Sequence, residues 1–512
     1  MNDVPGLHAF LAELSPVAGQ LPWPRHHLDL AGWRVLARRL DGSTWSLLGL
    51  WGEPATIHAA FRDEVDGAVA AVNLNCPERR YPSLSVARPA AIRLERAARD
   101  LFGLIADGAV DERPWLDHGR WREDHPLARP RLPGEAAPAK AVDALDYPFL
   151  PVDGDGLHQI PVGPVHAGII EPGHFRFHAN GETVVRLEER LGYVHKGVEK
   201  LMQGKSAGDA IKVAARLSGD SSVALGLGFA RAAEAATLTE VPARAHWLRA
   251  LMAELERMAN HFGDIGAICN DASFTFIHAH CSAMREAVLR SAASCFGHRL
   301  MMDCVVPGGV AADLTSGGTA ELARLVNDLA QRFEYVMRIY DAKASLLDRT
   351  LGTGVTLGEL VHRFGAGGYV GRAAGRSFDA RRNPGYPPYD ELDFDVPTMT
   401  EADVHARLWI RVEEIRQSLK IVRQILAHLP MGPVQAPLRA RAGEGMALIE
   451  AFRGECLTYV RLDVTGHVER AHQRDASWFH WPLLESAVLG NIVADFPLCN
   501  KSINGSYSGH DL

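Results

Sequence analysis

The chain has 512 residues, a formal net charge of −8, and 47% hydrophobic against 23% charged residues. That balance fits a globular protein of more than one domain, since single cores stop growing near about 250–300 residues. The acidic charge disfavours nucleic acid as a partner, and no apolar run approaches the roughly 18–20 residues that a spanning helix needs. The opening residues Met1 to Pro5 lack the basic stretch of a signal peptide, so a cytosolic chain is expected, held at a membrane only through partners. The seven cysteines, Cys76, Cys269, Cys281, Cys295, Cys304, Cys456 and Cys499, form no Cys-x-x-Cys pair, and buried, inert thiols are the simplest reading.

In chain order, Thr44 to Trp51 reads as a strand, and the alternation in Ser83-Leu84-Ser85-Val86 predicts another. Ala91 to Gly103 predicts a helix with Leu94, Ala97, Ala98 and Leu101 on one stripe and Arg93, Arg96, Arg99 and Asp100 on its other faces. From about Ala128 to Gly156, eight Pro and Gly residues without periodicity predict a linker. Phe175 to His178 and Gly181 to Leu187 predict a hairpin. Three long helices follow. Ala243 to Ile268 carries an apolar stripe from Leu248 to Ile265, leaving Arg249, Glu256 and Asn260 to a solvated or partner-facing side. Ala320 to Leu347 is the second, with Thr319 as its predicted N-cap, and Asp403 to Leu429 the third. The fold class is therefore α+β: a small α+β domain over 1–128, a linker over 129–155, and a mainly helical bundle domain over 156–512.

Several motifs are more specific. The block Gly163-Pro164-Val165-His166-Ala167-Gly168-Ile169-Ile170-Glu171-Pro172-Gly173-His174-Phe175-Arg176-Phe177 resembles the opening of the group 4 nickel–iron hydrogenase large subunit. Leu191 to Lys200 resembles the next motif, shared with the quinone-site core subunit of respiratory complex I. Arg372-Ala373-Ala374-Gly375 with Asp379 and Arg381, and Ala451-Phe452-Arg453-Gly454-Glu455, extend the match. Ahead of the linker, Glu95-Arg96, Asp100 to Gly103 and His125-Pro126-Leu127 resemble the small complex I subunit beside that core. The resemblance implies a fused large subunit of the hydrogenase-3 or hydrogenase-4 type, with the hydrogenase large-subunit fold.

One departure narrows it. Where that family holds two Cys-x-x-Cys pairs, this chain has Ser218, Ser221, Ser506 and Gly509. Nickel in that setting needs soft thiolates; three hydroxyls and a glycine do not supply them. The expectation is no metal, and no cofactor held by this chain, as in energy-converting-hydrogenase-related complexes. From the resemblance, Glu171 matches a carboxylate on the proton route and Arg453 an arginine leaning over the metal site. Asp220, between the first two serines, and His166 join them as candidate acid–base groups. Alternatively these groups are satisfied structural pairs. The family's quinone-binding histidine falls on Ile170 and its tyrosine has no match near Ser218, which leaves Tyr507 as a substitute if a quinone binds. His261, with Glu254 and Arg257 on one helix face, reads as an interhelical hydrogen bond. The run Gly365-Ala366-Gly367-Gly368 makes no phosphate cradle.

The resemblance also implies partners: a small subunit carrying an iron–sulfur cluster and antiporter-like membrane subunits, with the chain on the cytoplasmic face of the membrane. The implied role is a core subunit passing electrons or protons through the altered pocket. The alternative is a non-catalytic subunit coupling a redox module to a membrane arm.

Overall fold

The computed structural model describes residues 6–12, 14–129 and 146–512, so most of the expected linker lies outside the described residues. The fold mixes helix and sheet throughout. Near the N-terminus a five-stranded sheet runs in the order Pro16–Val17, Arg25–Leu28, Val69–Asn75, Thr56–Asp63, Trp45–Glu53. Helix Leu30–Leu40 is capped by the Asp29 carboxylate, which accepts from the Gly32 N–H at 2.7 Å.

Helix Ala91–Phe102 packs on strand Trp45–Glu53 through the predicted Leu94, Ala97, Ala98 and Leu101 stripe. Its other faces are mostly buried too. Arg93 pairs with Glu189 and Glu485, Arg96 with Asp111, and Asp100 accepts from the N–H groups of Trp115 and Leu116. Ser83 to Val86 form a turn, not the expected strand, because Glu95 captures it: the carboxyl accepts from the Leu84 N–H and the Ser83 hydroxyl, both at 2.7 Å. The regular strand Arg80–Pro82 ends just before.

The expected hairpin is present as His174–Asn180 against Thr183–Arg190, with Leu157–Val162 as a third strand. The longest helices are Ser222–Thr237, Ala243–Asp271, Thr275–Phe296, Gly318–Asp341 and Val404–His428, the last capped by Asp403. Thr319 is not an N-cap. That helix starts one residue earlier, at Gly318, and stops at Asp341 before a separate turn of helix, Ala344–Thr350. Arg249 and Glu256 are not solvated either. Helix Ala243–Asp271 is buried on nearly every side, with Arg249 held by Glu234 and Glu256 accepting from Val223 and Ala224 N–H.

A four-stranded sheet that no sequence pattern predicts completes the fold. Val468–Arg474, Glu455–Leu462 and Gly443–Glu450 form an antiparallel meander, and Gln20–Leu21 from the N-terminal part adds a parallel edge strand. Helix Ser222–Thr237 covers one face. The N-terminal sheet covers the other, where Trp51 stacks on His472 at 5.5 Å and packs tilted against Tyr459 at 5.2 Å, beside Leu48, Met446, Leu448 and Leu457. Burial on both faces removed the polar–apolar alternation that exposes a strand in sequence.

Burial raises the Glu95 carboxyl from 4.5 to about 7, against its hydrogen bonds. A folded pKa above the unfolded one gives stability that is complete below the unfolded value and lost as pH rises through about 7. Glu95→Gln, which imitates the protonated form, is expected to flatten the decline of melting temperature between about pH 5 and 8. An unchanged slope would exclude Glu95 as its source.

Candidate functional site

The altered motif positions converge. Ser218 precedes a single tight turn, Gly219–Ser221, that opens helix Ser222–Thr237. Arg453 sits in the turn between strands Gly443–Glu450 and Glu455–Leu462, closed by reciprocal Ala451 and Gly454 backbone bonds. Gly454 has φ 141° and lies against Gly367 and Gly368, where an added Cβ would strike backbone. The glycine run thus serves close approach of two chain segments. Ser506 caps the last helix, Tyr507–Asp511, its hydroxyl accepting from the Gly509 N–H at 2.9 Å.

At the centre Arg453 grips Asp220 bidentately, at 2.8 and 2.6 Å. Its Nε donates to the Asn504 carbonyl at 2.7 Å, and its Nη1 reaches the Ser221 hydroxyl at 3.3 Å. Ser218 Oγ donates to Asp220 at 2.7 Å and lies 2.9 Å from Ser506 Oγ, joining the two distant motifs. Ser506 Oγ in turn lies 3.5 Å from Ser508 Oγ. Burial by itself raises the Asp220 carboxyl. The charge and hydrogen bonds of Arg453 overcome that and hold it well below the ordinary range.

Glu171 is at the mouth, not in this cluster. It is exposed on the loop between strands Leu157–Val162 and His174–Asn180, and its carboxylate accepts from the Ser508 N–H at 3.1 Å. It is not the partner of Arg453; Asp220 fills that place. His166, on the same loop, places Nε2 3.2 Å from the Tyr507 hydroxyl. Tyr507 is buried between Trp481 and Phe175. His174 lies against Phe149, and the Arg176 guanidinium stacks over the same ring at 3.9 Å, so both lie away from the serine cluster. All seven cysteines are buried and unbridged. His261 makes the interhelical bond, Nε2 to Glu414 at 2.7 Å. It belongs to a buried network in which Arg257, Arg372 and Arg381 meet Glu254, Asp379, Glu414 and Glu450.

Asp475 is a member of the site that the motifs did not reveal. Its carboxyl carbon lies 2.9 Å from where a Cβ on Gly509 would stand. One oxygen accepts from the Ser477 N–H at 2.8 Å and the other faces the Cys456 thiol at 3.8 Å. Asn504, bound by Asp264 at 3.0 Å, and Ser508 are two more. Asp475 lies beside Gly509 only through tertiary folding, whereas Asn504 and Ser508 flank Ser506 in the chain. These residues do not fit a nickel–iron group. The hydroxyls are committed to Asp220 and to one another, Gly509 has no donor, and Asp475 fills the space beside it. Among the described residues, no three or more His, Cys, Asp or Glu groups converge as a metal site.

Two tests follow from the geometry. Asp220→Asn strands the guanidinium of Arg453, whose side chain is 4% exposed against 35% for Asp220. The expected loss in denaturant unfolding is about 2–3 kcal/mol, less than for a fully buried pair. Asp220→Asn with Arg453→Met should recover part of it, and no recovery would mean that stranded charge is not the cost. Gly509→Ala should cost about 1–3 kcal/mol by pressing on Asp475; a neutral effect would show that the cluster yields.

Residues 271–442 match the family model described as the respiratory-chain NADH dehydrogenase 49 Kd subunit, and residues 57–134 that of the 30 Kd subunit. Formate hydrogenlyase subunit 5 of Escherichia coli K12 is 29% identical over 86% of this chain and 78% of its own length. The carbon monoxide-induced hydrogenase of Rhodospirillum rubrum is 30% identical over 68% of this chain and 97% of its own. An NADH-quinone oxidoreductase subunit of Dehalococcoides mccartyi is 32% identical over 67% of this chain and 95% of its own. This chain therefore belongs to the 49 Kd subunit family of respiratory-chain NADH dehydrogenase, in its group 4 hydrogenase-related, complex I-like branch, with a 30 Kd-type region fused ahead.

Proposed function

We propose that this chain is the large core subunit of a membrane-bound, complex I-like oxidoreductase complex, and that its altered pocket conducts protons without nickel. The observation that carries the reading is a run of buried hydroxyls that ends on the ion pair, with exposed Glu171 bonded to the backbone at its outer end. Ser508 binds Glu171 through its N–H, and its hydroxyl is followed by Ser506, Ser218 and Asp220, at 3.5, 2.9 and 2.7 Å in turn. A hydroxyl both donates and accepts, so such a run can hand a proton along by reorientation. Asp220, kept ionised by Arg453, accepts from Ser218 and so fixes which way the hydroxyls point. Exposed Glu171 stands at the outer end, joined to the run through the Ser508 N–H.

In this reading the fold is of the hydrogenase large-subunit type. Electrons come from an iron–sulfur cluster in a partner small subunit, antiporter-like subunits form the membrane arm, and the chain sits on the cytoplasmic face. Among the described residues, no helix is long and apolar enough to cross a membrane, so attachment falls to partners. The loop bearing His166 and Glu171 supports a covering partner, since Val165 is 80% and Ile169 99% exposed beside the pocket. A quinone acceptor would meet Tyr507 and His166 at this mouth.

Glu171→Gln in the assembled complex should lower electron transfer by about 10²-fold with the melting temperature close to wild type. Normal turnover would rule out Glu171 as the proton entry. Ile169→Asp should reduce co-purification of the neighbouring subunit while leaving the isolated chain folded. Full recovery of the complex would place the partner elsewhere.

A further inference from the structure

A cavity of about 350 Å³ lies against the hairpin His174–Asn180 and Thr183–Arg190. Successive side chains on a strand point to opposite faces. Phe175 takes the face that packs on Phe496 and Tyr507, so His174 and Arg176 take the other. Arg190 stands directly across from His174 in the register and therefore shares that second face. His174, Arg176 and Arg190 all line the cavity. It is thus separated by the sheet from Tyr507 and the hydroxyl run.

The two arginines bring charge to the cavity with no carboxylate bonded to either among the described residues. Arg190 donates only to main-chain carbonyls, those of Pro114 at 3.0 Å, Trp115, and Asp117 at 3.3 Å. Arg176 makes no hydrogen bond. Its Nε is sealed, but its two terminal nitrogens keep accessible surface and have no partner. Glu188, directly across from Arg176, is taken by Arg113 at 2.5 Å. Each guanidinium lies over an aromatic ring, Arg176 over Phe149 at 3.9 Å and Arg190 over Tyr147 at 4.4 Å. Such stacking fixes the fork and leaves its in-plane N–H groups to bind. Tyr193, also in the lining, is held edge-on by the His118 ring at 4.5 Å, and its hydroxyl has no partner within the chain. The lining carries one carboxylate, the exposed Asp146, against these two cations. A fixed guanidinium with free N–H groups, a second one beside it and a free hydroxyl form a donor set for an oxyanion. The volume is at the small end for ligand sites, enough for an anionic head and one ring.

We propose that this cavity binds a small organic anion, a carboxylate or a phosphate monoester, with its oxygens on Arg176 and Tyr193 beside Arg190 and a ring-sized body against the aromatic walls. The probes are para-fluorobenzoate, para-fluorophenyl phosphate and the neutral para-fluorobenzamide, followed by fluorine NMR on the full chain. At least one anion should bind saturably, and the tighter of the two identifies the head group. The amide, which keeps the shape without the charge, should bind about tenfold more weakly or less. Arg176→Gln removes a charge that no group of the chain uses. It should weaken the anion about tenfold with the melting temperature close to wild type. Tyr193→Phe, at an exposed position, should weaken it about threefold, and decides the matter if Arg176→Gln fails to fold. Arg34→Gln, an exposed arginine on helix Leu30–Leu40, should leave binding unchanged. Equal binding of the amide, no saturable binding of either anion, or binding indifferent to Arg176→Gln would overturn the proposal. So would an equal loss in Arg34→Gln, which would mark attraction to the surface as a whole.

Discussion

The guanidinium of Arg453 is the point at which distant parts of the chain are tied together. It is carried by a strand turn, it clamps Asp220 at the entrance to a helix, and it holds the carbonyl of Asn504 just before the last helix. Two segments nearly three hundred residues apart then meet as Ser218 and Ser506 at 2.9 Å. Where a nickel–iron centre would hold these segments through metal–thiolate bonds, here an ion pair and hydroxyl bonds do so. Such a junction is directional, set by donors and acceptors instead of a metal ion.

Around that junction the interior is unusually ionic. Arg257, Arg372, Arg381, Arg407 and Arg411 are all buried, each with carboxylate or carbonyl partners. Ion pairs of this kind rarely add net stability over an apolar core, but losing one partner is severe. They fix the relative positions of helices Ala243–Asp271 and Val404–His428 and the C-terminal sheet more tightly than interchangeable apolar contacts would. That rigidity is the setting in which hydroxyl spacings of 2.7 to 3.5 Å can be kept.

How much of this could be read from the chain depended on the physical origin of each signal. The long helices were legible because one apolar stripe recurs along them, and the hairpin because Asn180-Gly181 punctuates it. The serines, Arg453 and Asp220 were legible through motif position. Arg249 and Glu256 were misjudged because a charge on a helix looks the same whether it meets water or a buried partner. The C-terminal sheet was missed because helix Ser222–Thr237 and the N-terminal sheet bury both its faces. Asp475 left no local trace, since it adjoins Gly509 only once the sheet and the last helix have docked.

The edge strand Gln20–Leu21 has a consequence for synthesis. Gln20 donates to the Met446 sulfur, a contact across 426 positions of sequence, and the same late segment covers Leu48 and Trp51. At about 5–20 residues per second a ribosome needs roughly 20–85 s to make that span. Throughout that interval the nascent N-terminal sheet has an uncovered tryptophan-bearing face and an unpaired strand. Those are the features that recruit holding chaperones and invite mispairing between neighbouring chains on one message. The interface that unites the two ends of the finished subunit is therefore also the period of greatest risk in its biogenesis.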